Sequence, residues 1–185
     1  MTGIHLKRVI TTAAVLALAI GSASPAKTLS WAAGWDNLTE PLNYTTSSVV
    51  YSVSQANDLS VTYTLNGATP NKLYQVAIIF FNQCPTPPAS FGTYPETADS
   101  SCTPYTRQGV TASTSNTEIG VVTTDASGDG STALTVGPLT AGSYKVEFIA
   151  RDGAGCVVSG GGGSCNVDFQ SPGPDFATTT TVKVP

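Results

Sequence analysis

The chain has 185 residues, and only 11% of them are charged, with 12 acidic residues against 8 basic ones for a formal net charge of −4. An average soluble chain carries about 25% charged residues, so neutral polar side chains have to keep this protein in solution. Nucleic-acid binding requires a basic surface, and the acidic balance therefore excludes DNA and RNA as partners.

Residues 1–26 have the pattern of a secretory signal peptide. Lys7 and Arg8 precede an apolar run that ends at Ile20, and small residues follow around Ala23 and Ala26. A membrane-spanning helix needs about 20 apolar residues, and this run is shorter. We therefore expect no membrane insertion of the mature chain. We expect the mature protein to be secreted, and either free outside the cell or associated with the cell surface.

Cleavage of this segment removes chemistry from the mature chain. His5 is the only histidine, so Ser-His-Asp and Cys-His mechanisms and imidazole metal sites are lost with it. Lys7 and Arg8 leave as well, so six basic residues face twelve acidic ones, for a net charge of −6. Carboxylate-pair hydrolysis is the one familiar acid-base scheme left, and no motif supports it. We therefore expect no enzymatic activity, no cofactor and no metal site.

The mature N-terminus, residues 27–47, is predicted to be an extended strand followed by a linker. The sequence "KTLSWAAGW" places apolar residues at every second position, which gives one apolar face on a strand. These residues are Leu29, Trp31, Ala33 and Trp35. Such a strand has to join a sheet, because exposed apolar area and unpaired backbone groups are unfavourable. It either returns to its own domain as the first strand or donates itself to a neighbouring copy.

Two N-glycosylation sequons lie in the linker, at Asn37 and Asn43. In an organism that glycosylates its exported proteins, both asparagines are candidate acceptors.

Residues 48–185 read as a single all-β domain. "DLSVTYTLNG" and "SYKVEFIARDG" alternate apolar and polar residues, which is typical of half-buried antiparallel strands, and turn signals separate further short strands. No segment has a helical period. Seven or eight such strands predict one immunoglobulin-like antiparallel β-sandwich.

The segment "LYQVAIIFFN" is apolar on both faces of its predicted strand. One face belongs to the core. The other, which carries Ile79 and Phe81, is either covered within the fold or lines a cleft with Phe91 and Tyr94 of the following loop, where an apolar small molecule or a donated strand could bind.

The stretch "TTDASGDGST" allows three interpretations of Asp125 and Asp129: a calcium loop, a catalytic pair or a turn. A calcium loop needs further carboxylates in register, and the sequence has none there. The glycines favour a tight turn, and we predict a β-hairpin at this point.

Four cysteines in an exported chain predict two disulfides. Each nearest pair brackets a loop-like segment, so we favour Cys84 with Cys102 and Cys156 with Cys165 over the other two pairings. A zinc site would require tighter spacing.

The order of "YQVAIIFFNQC", "VTTDASGDGSTALTV", "CVVSGGGGSC", "NVDFQSPGPDF" and "TTTTVKV" resembles the layout of the neocarzinostatin family. That resemblance implies a secreted immunoglobulin-like sandwich with two local disulfides and a small-molecule cleft. The resemblance in fold extends to the four cysteines, but no residue of this chain can be matched to a ligand-binding residue of that family.

The N-terminal strand and its linker also resemble the strand-donating subunits of extracellular filaments. We therefore expect a non-enzymatic extracellular module whose partners are other copies of itself or another extracellular protein. A carrier of an apolar small ligand is the alternative.

Overall fold

The computed structural model describes residues 23–34, 40–82, 102–111, 115–153, 167–171 and 179–185. These residues are essentially all β, and they form ten strands, where the sequence predicted seven or eight. The strands are β1 (Lys27–Ser30), β2 (Ala32–Ala33), β3 (Ser48–Val53), β4 (Leu59–Leu65), β5 (Leu73–Phe81), β6 (Ser115–Thr123), β7 (Gly130–Val136), β8 (Gly142–Asp152), β9 (Val167–Ser171) and β10 (Thr180–Val184).

The strands form two antiparallel sheets, which confirms the predicted all-β fold class. The first sheet has the order β1-β3-β4-β7. The second has the order β2-β9-β8-β5-β6, and β10 pairs with the first half of β8, on residues 142–146. Strands that are distant in sequence, such as β4 with β7 and β5 with β8, are neighbours in the sheets. This two-sheet arrangement is compatible with an immunoglobulin-like layout.

Alternating side chains build the core between the sheets. In β4, Leu59, Val61, Tyr63 and Leu65 are fully buried, as their spacing predicted. The inward side chains of β5 and β8 also belong to this core. They are Tyr74, Val76, Ile78 and Phe80 in β5, and Tyr144, Val146, Phe148 and Ala150 in β8.

The predicted hairpin between β6 and β7 is wrong, although the turn is present. β6 pairs with β5 in the second sheet, whereas β7 pairs with β4 in the first. The connection therefore crosses from one sheet to the other. A short glycine-containing loop can form a hairpin within one sheet or connect two sheets. Only the pairing partners of the two strands decide which of these forms.

Candidate assembly and ligand sites

The N-terminal segment, residues 27–34, connects the edges of both sheets of its own sandwich. β1 runs antiparallel to β3, with Lys27 opposite Tyr51 and Ser30 opposite Ser48. β2 pairs with β9, where Ala32 lies opposite Gln170. This is the pairing within the chain that the sequence left as one of two alternatives.

Trp31 lies at the crossing point and fills the space between the sheets. Its side chain is 3% exposed, and its indole N–H donates to the backbone oxygen of Thr64 at 3.1 Å. Its ring centroid is 6.0 Å from that of Tyr63 in the first sheet and 6.3 Å from that of Phe169 in the second. Replacing a buried aromatic residue of this size by alanine typically costs about 3–5 kcal/mol. Trp31 is thus the main anchor of the segment.

The other predicted donor residues differ in their surroundings. Leu29 is half-buried and packs against the core. Ala33 is exposed, because the chain changes sheets between Ser30 and Ala32 and the two-residue alternation is interrupted there. Trp35 lies outside the described residues.

Gly34 ends the segment in close contact with β9. Its backbone N–H donates to the oxygen of Asp168 at 2.8 Å. A Cβ atom at this position would lie 2.0 Å from the backbone oxygen of Val167, a distance that no side chain tolerates. Gly34 was not among the residues predicted from the sequence, although a glycine at a strand is a signal of close backbone approach.

The outward face of β5 contributes to a second apolar cluster, separate from the core. Ile79 and Phe81 are buried there at 7% and 3% exposure, with neighbours from β5, β8 and β9. The other members are Ala77, Ile149 and Val167. β5 is therefore buried on both faces, one in the core and the other in this second cluster. Phe91 and Tyr94 lie outside the described residues.

A buried carboxyl group lies beside this cluster. Glu147 in β8 is directly opposite Ile79 in β5 and is 1% exposed. Among the residues that the structure describes, neither of its carboxylate oxygens has a hydrogen-bond partner. Burial raises the pKa of Glu147 to about 8, and the charge of Arg151 on the same strand opposes this only in part. The group is therefore largely protonated at neutral pH, and it can donate or accept a hydrogen bond.

A charged cluster closes one end of the second sheet around Lys72. The ammonium nitrogen of Lys72 is 3.0 Å from Glu40 Oε1, 3.4 Å from Asp152 Oδ2 and 3.7 Å from Asp168 Oδ2. The Tyr74 hydroxyl donates to Glu40 Oε1, and the Lys72 ammonium lies 4.9 Å from the centroid of the Tyr74 ring. Asp152 ends β8 and Asp168 lies in β9, and the structure brings both of them to the same lysine.

The Asp125 loop is a turn stabilised by its own side chains. Asp125 Oδ1 accepts hydrogen bonds from the backbone N–H groups of Ser127 and Asp129, at 2.7 and 3.0 Å. These bonds lower the pKa of Asp125. Asp129 Oδ1 accepts from the backbone of Gly67, so both carboxylates are used by the fold.

One of the four cysteines and one of the two sequons can be placed. Cys102 Sγ lies 3.8 Å from the backbone oxygen of Phe81, near the end of β5. Cys84, Cys156 and Cys165 lie outside the described residues, and the favoured pairing stays a prediction.

Asn43 is exposed, and its side-chain oxygen accepts a hydrogen bond from the Thr45 hydroxyl at 2.7 Å. Asn37 lies outside the described residues, and glycan attachment at either asparagine stays a prediction.

No protein-family model, curated protein or solved structure matches this chain significantly. Within the described ranges, no helix is long and apolar enough to cross a membrane. The same ranges contain no group of three or more His, Cys, Asp or Glu side chains suited to a metal ion.

Proposed function

We propose that the mature chain is a secreted, non-enzymatic module that assembles with other copies of itself by exchanging its N-terminal segment. The observation that carries this proposal is the placement of residues 27–34 on the edges of β3 and β9, with Trp31 inserted between the sheets. A segment of this kind makes the same contacts whether it belongs to the same chain or to another.

The contacts of the segment favour exchange because nearly all of them lie at strand edges. β1 adds four residues to β3, and β2 adds two to β9. Loss of the segment would leave a Trp31-sized hole and unpaired backbone groups on β3. Such an incomplete sandwich accepts an identical segment from a neighbour, because only the origin of the strand changes. Exchange that closes on itself gives dimers, and head-to-tail exchange gives filaments.

Negative-stain electron microscopy with size-exclusion chromatography tests this proposal. The mature protein is compared with a variant that lacks residues 27–35, and circular dichroism establishes whether the variant retains its strands. We expect dimers or filaments from the mature chain and no assembly from the variant. Monomers from the mature chain at every concentration would contradict the proposal.

The second candidate function is carriage of an apolar small molecule, and the cluster around Ile79 and Phe81 favours it. A hydrogen-bonding carboxyl group beside an apolar surface is a common composition for small-molecule sites. The resemblance to the neocarzinostatin layout points to the same activity.

Native mass spectrometry of the secreted protein tests for such a ligand. We expect a bound small molecule that is lost on Phe81→Ala and retained in Val110→Ala, a control at an exposed apolar residue. The variant without residues 27–35 should still bind. Absence of any bound molecule, together with no thermal shift on addition of apolar compounds, would count against the carrier function.

A further inference from the structure

The Lys72 amine lies among three carboxyl groups, the more exposed Asp152 and the more buried Glu40 and Asp168, in a partly buried site that assembly does not use. The side chains of Lys72, Glu40 and Asp168 are 19%, 16% and 8% exposed. The Lys72 nitrogen contacts Glu40 at 3.0 Å and lies 3.7 Å from Asp168. Three separate parts of the chain supply these groups.

Lys72, Asp168 and Glu40 come from non-adjacent strands and from the linker, unlike the neighbouring residues of an ordinary surface ion pair. Lys72 immediately precedes β5, while Asp168 lies in β9, and β8 separates the two strands. The register between β8 and β9 shifts at Ala150 and Arg151, next to Asp168. Glu40 belongs to the linker and is fixed by the Tyr74 hydroxyl.

We propose that Lys72 and Asp168 join in a covalent amide bond, and that Glu40 accepts the proton that the lysine must lose. The Lys72 nitrogen attacks the carboxyl carbon of Asp168. A carbon–nitrogen bond forms, and the bond from that carbon to its hydroxyl oxygen breaks. The hydroxyl leaves as water with one ammonium proton, and Glu40 takes the other.

The protonation state of Asp168 suits its role, whereas the proton transfer from Lys72 to Glu40 is uphill. Burial raises the pKa of Asp168 to about 6, against the opposing charge of Lys72, so a fraction of this carboxyl is protonated near neutral pH. Burial would also raise the pKa of Glu40, but hydrogen bonds from Tyr74 and Lys72 outweigh it and lower the pKa. Glu40 therefore stays ionised and can act as a base. The same carboxylates raise the pKa of Lys72 despite its burial. Proton transfer to Glu40, which has to precede attack, is therefore unfavourable and limits the rate of bond formation.

Such a bond would link β5 to β9 across β8 by a covalent connection. It would close a loop between residues 72 and 168 and so reduce the conformational entropy of the unfolded chain. The protein would resist heat and mechanical force better as a result. This inference does not depend on strand exchange, because all three residues belong to the body of the sandwich and its linker.

Intact mass spectrometry of the mature protein tests the proposal. We expect a mass lower by one water molecule than the mass calculated with the disulfides included. Lys72→Arg, which keeps the positive charge, should restore the calculated mass. Lys145→Arg is the matched control, because Lys145 bonds Thr181 far from Asp168, and it should keep the deficit. Glu40→Gln should slow bond formation by on the order of 100-fold.

Cyclisation at Asp129-Gly130 or Asp152-Gly153 would also remove one water. Protease digestion with fragment-ion sequencing separates the two cases, because only the amide joins a peptide containing Lys72 to one containing Asp168. The full calculated mass for the folded mature chain, or a deficit that survives Lys72→Arg, would overturn the proposal.

Discussion

At the scale of single residues, Glu147 has an environment far from the solvated one that is ordinary for a glutamate. Its alternation with Val146 and Phe148 predicted an outward, solvated side chain. The outward face is itself apolar, and the carboxyl group is buried there with no hydrogen-bond partner in the described part of the chain. Ile149, two residues further along the same face, and Ile79 opposite were the signals in the sequence for this burial.

Glu147 should make the stability of the protein depend on pH. The folded state holds the proton up to about pH 8, whereas the unfolded chain releases it near its ordinary pKa of 4.5. The contribution of Glu147 to the free energy of unfolding is therefore complete below pH 4.5 and declines as the pH rises to about 8, by up to about 1.4 kcal/mol per pH unit. We expect Glu147→Gln to flatten this decline and to be more stable than the wild type at pH 8.

Urea unfolding at several pH values measures this effect. Glu118→Gln is the matched control, because the Glu118 carboxylate accepts a hydrogen bond from Tyr105 and is partly exposed. Parallel stability curves for the wild type and Glu147→Gln would refute the assignment.

At the scale of elements, the sequence predicted strands well wherever one face is solvated. β4 alternates because its outer face meets water, and β5 does not alternate because both of its faces are buried. The change of sheets within residues 27–34 could not be predicted, because Leu29, Trp31 and Ala33 have the spacing of one straight strand. Pairing with β3 and then β9 depends on parts of the chain distant in sequence.

The pairing partners of β6 and β7 could not be predicted from the sequence either, but the loop between these strands allows a test. Gly128 approaches Ala68 so closely that a Cβ atom would lie 2.0 Å from its backbone oxygen, so this loop packs on the β4–β5 connection. Asp125→Ala should lower the melting temperature by a few degrees, since it removes the acceptor for Ser127 and Asp129. Asp125→Asn keeps a side-chain oxygen that can accept these bonds, so it should lower the melting temperature less.

Calcium titration completes the test of this loop. We expect the same melting temperature with and without calcium, because both aspartates already bond the backbone. A calcium-dependent rise that Asp125→Asn abolishes would show that the loop binds the ion.

At the scale of the whole molecule, different kinds of segment connect the two sheets on the two sides of the sandwich. The β6–β7 connection crosses one side as a continuous, internally bonded loop. The other side is crossed by the N-terminal segment, which is held by Trp31 and by strand-edge bonds. The second connection consists of one buried tryptophan and short strand-edge pairings, and it is the connection that we propose copies exchange. Composition and cysteine count predicted an extracellular sandwich, but this asymmetry required the structure.

Cysteine cross-linking between copies tests strand exchange most directly. Thr28 in β1 lies opposite Val50 in β3, so cysteines at these positions are adjacent across the ladder. Chains carrying either Thr28→Cys or Val50→Cys are co-expressed, oxidised and analysed by non-reducing electrophoresis. Thr28→Cys with Ser60→Cys is the control, because Ser60 lies one strand further away, in β4. Cross-linked dimers from the first pair alone are expected if copies exchange the segment. Monomers from that pair would contradict exchange, and an internal cross-link in a single chain that carries both Thr28→Cys and Val50→Cys would assign the segment to its own fold.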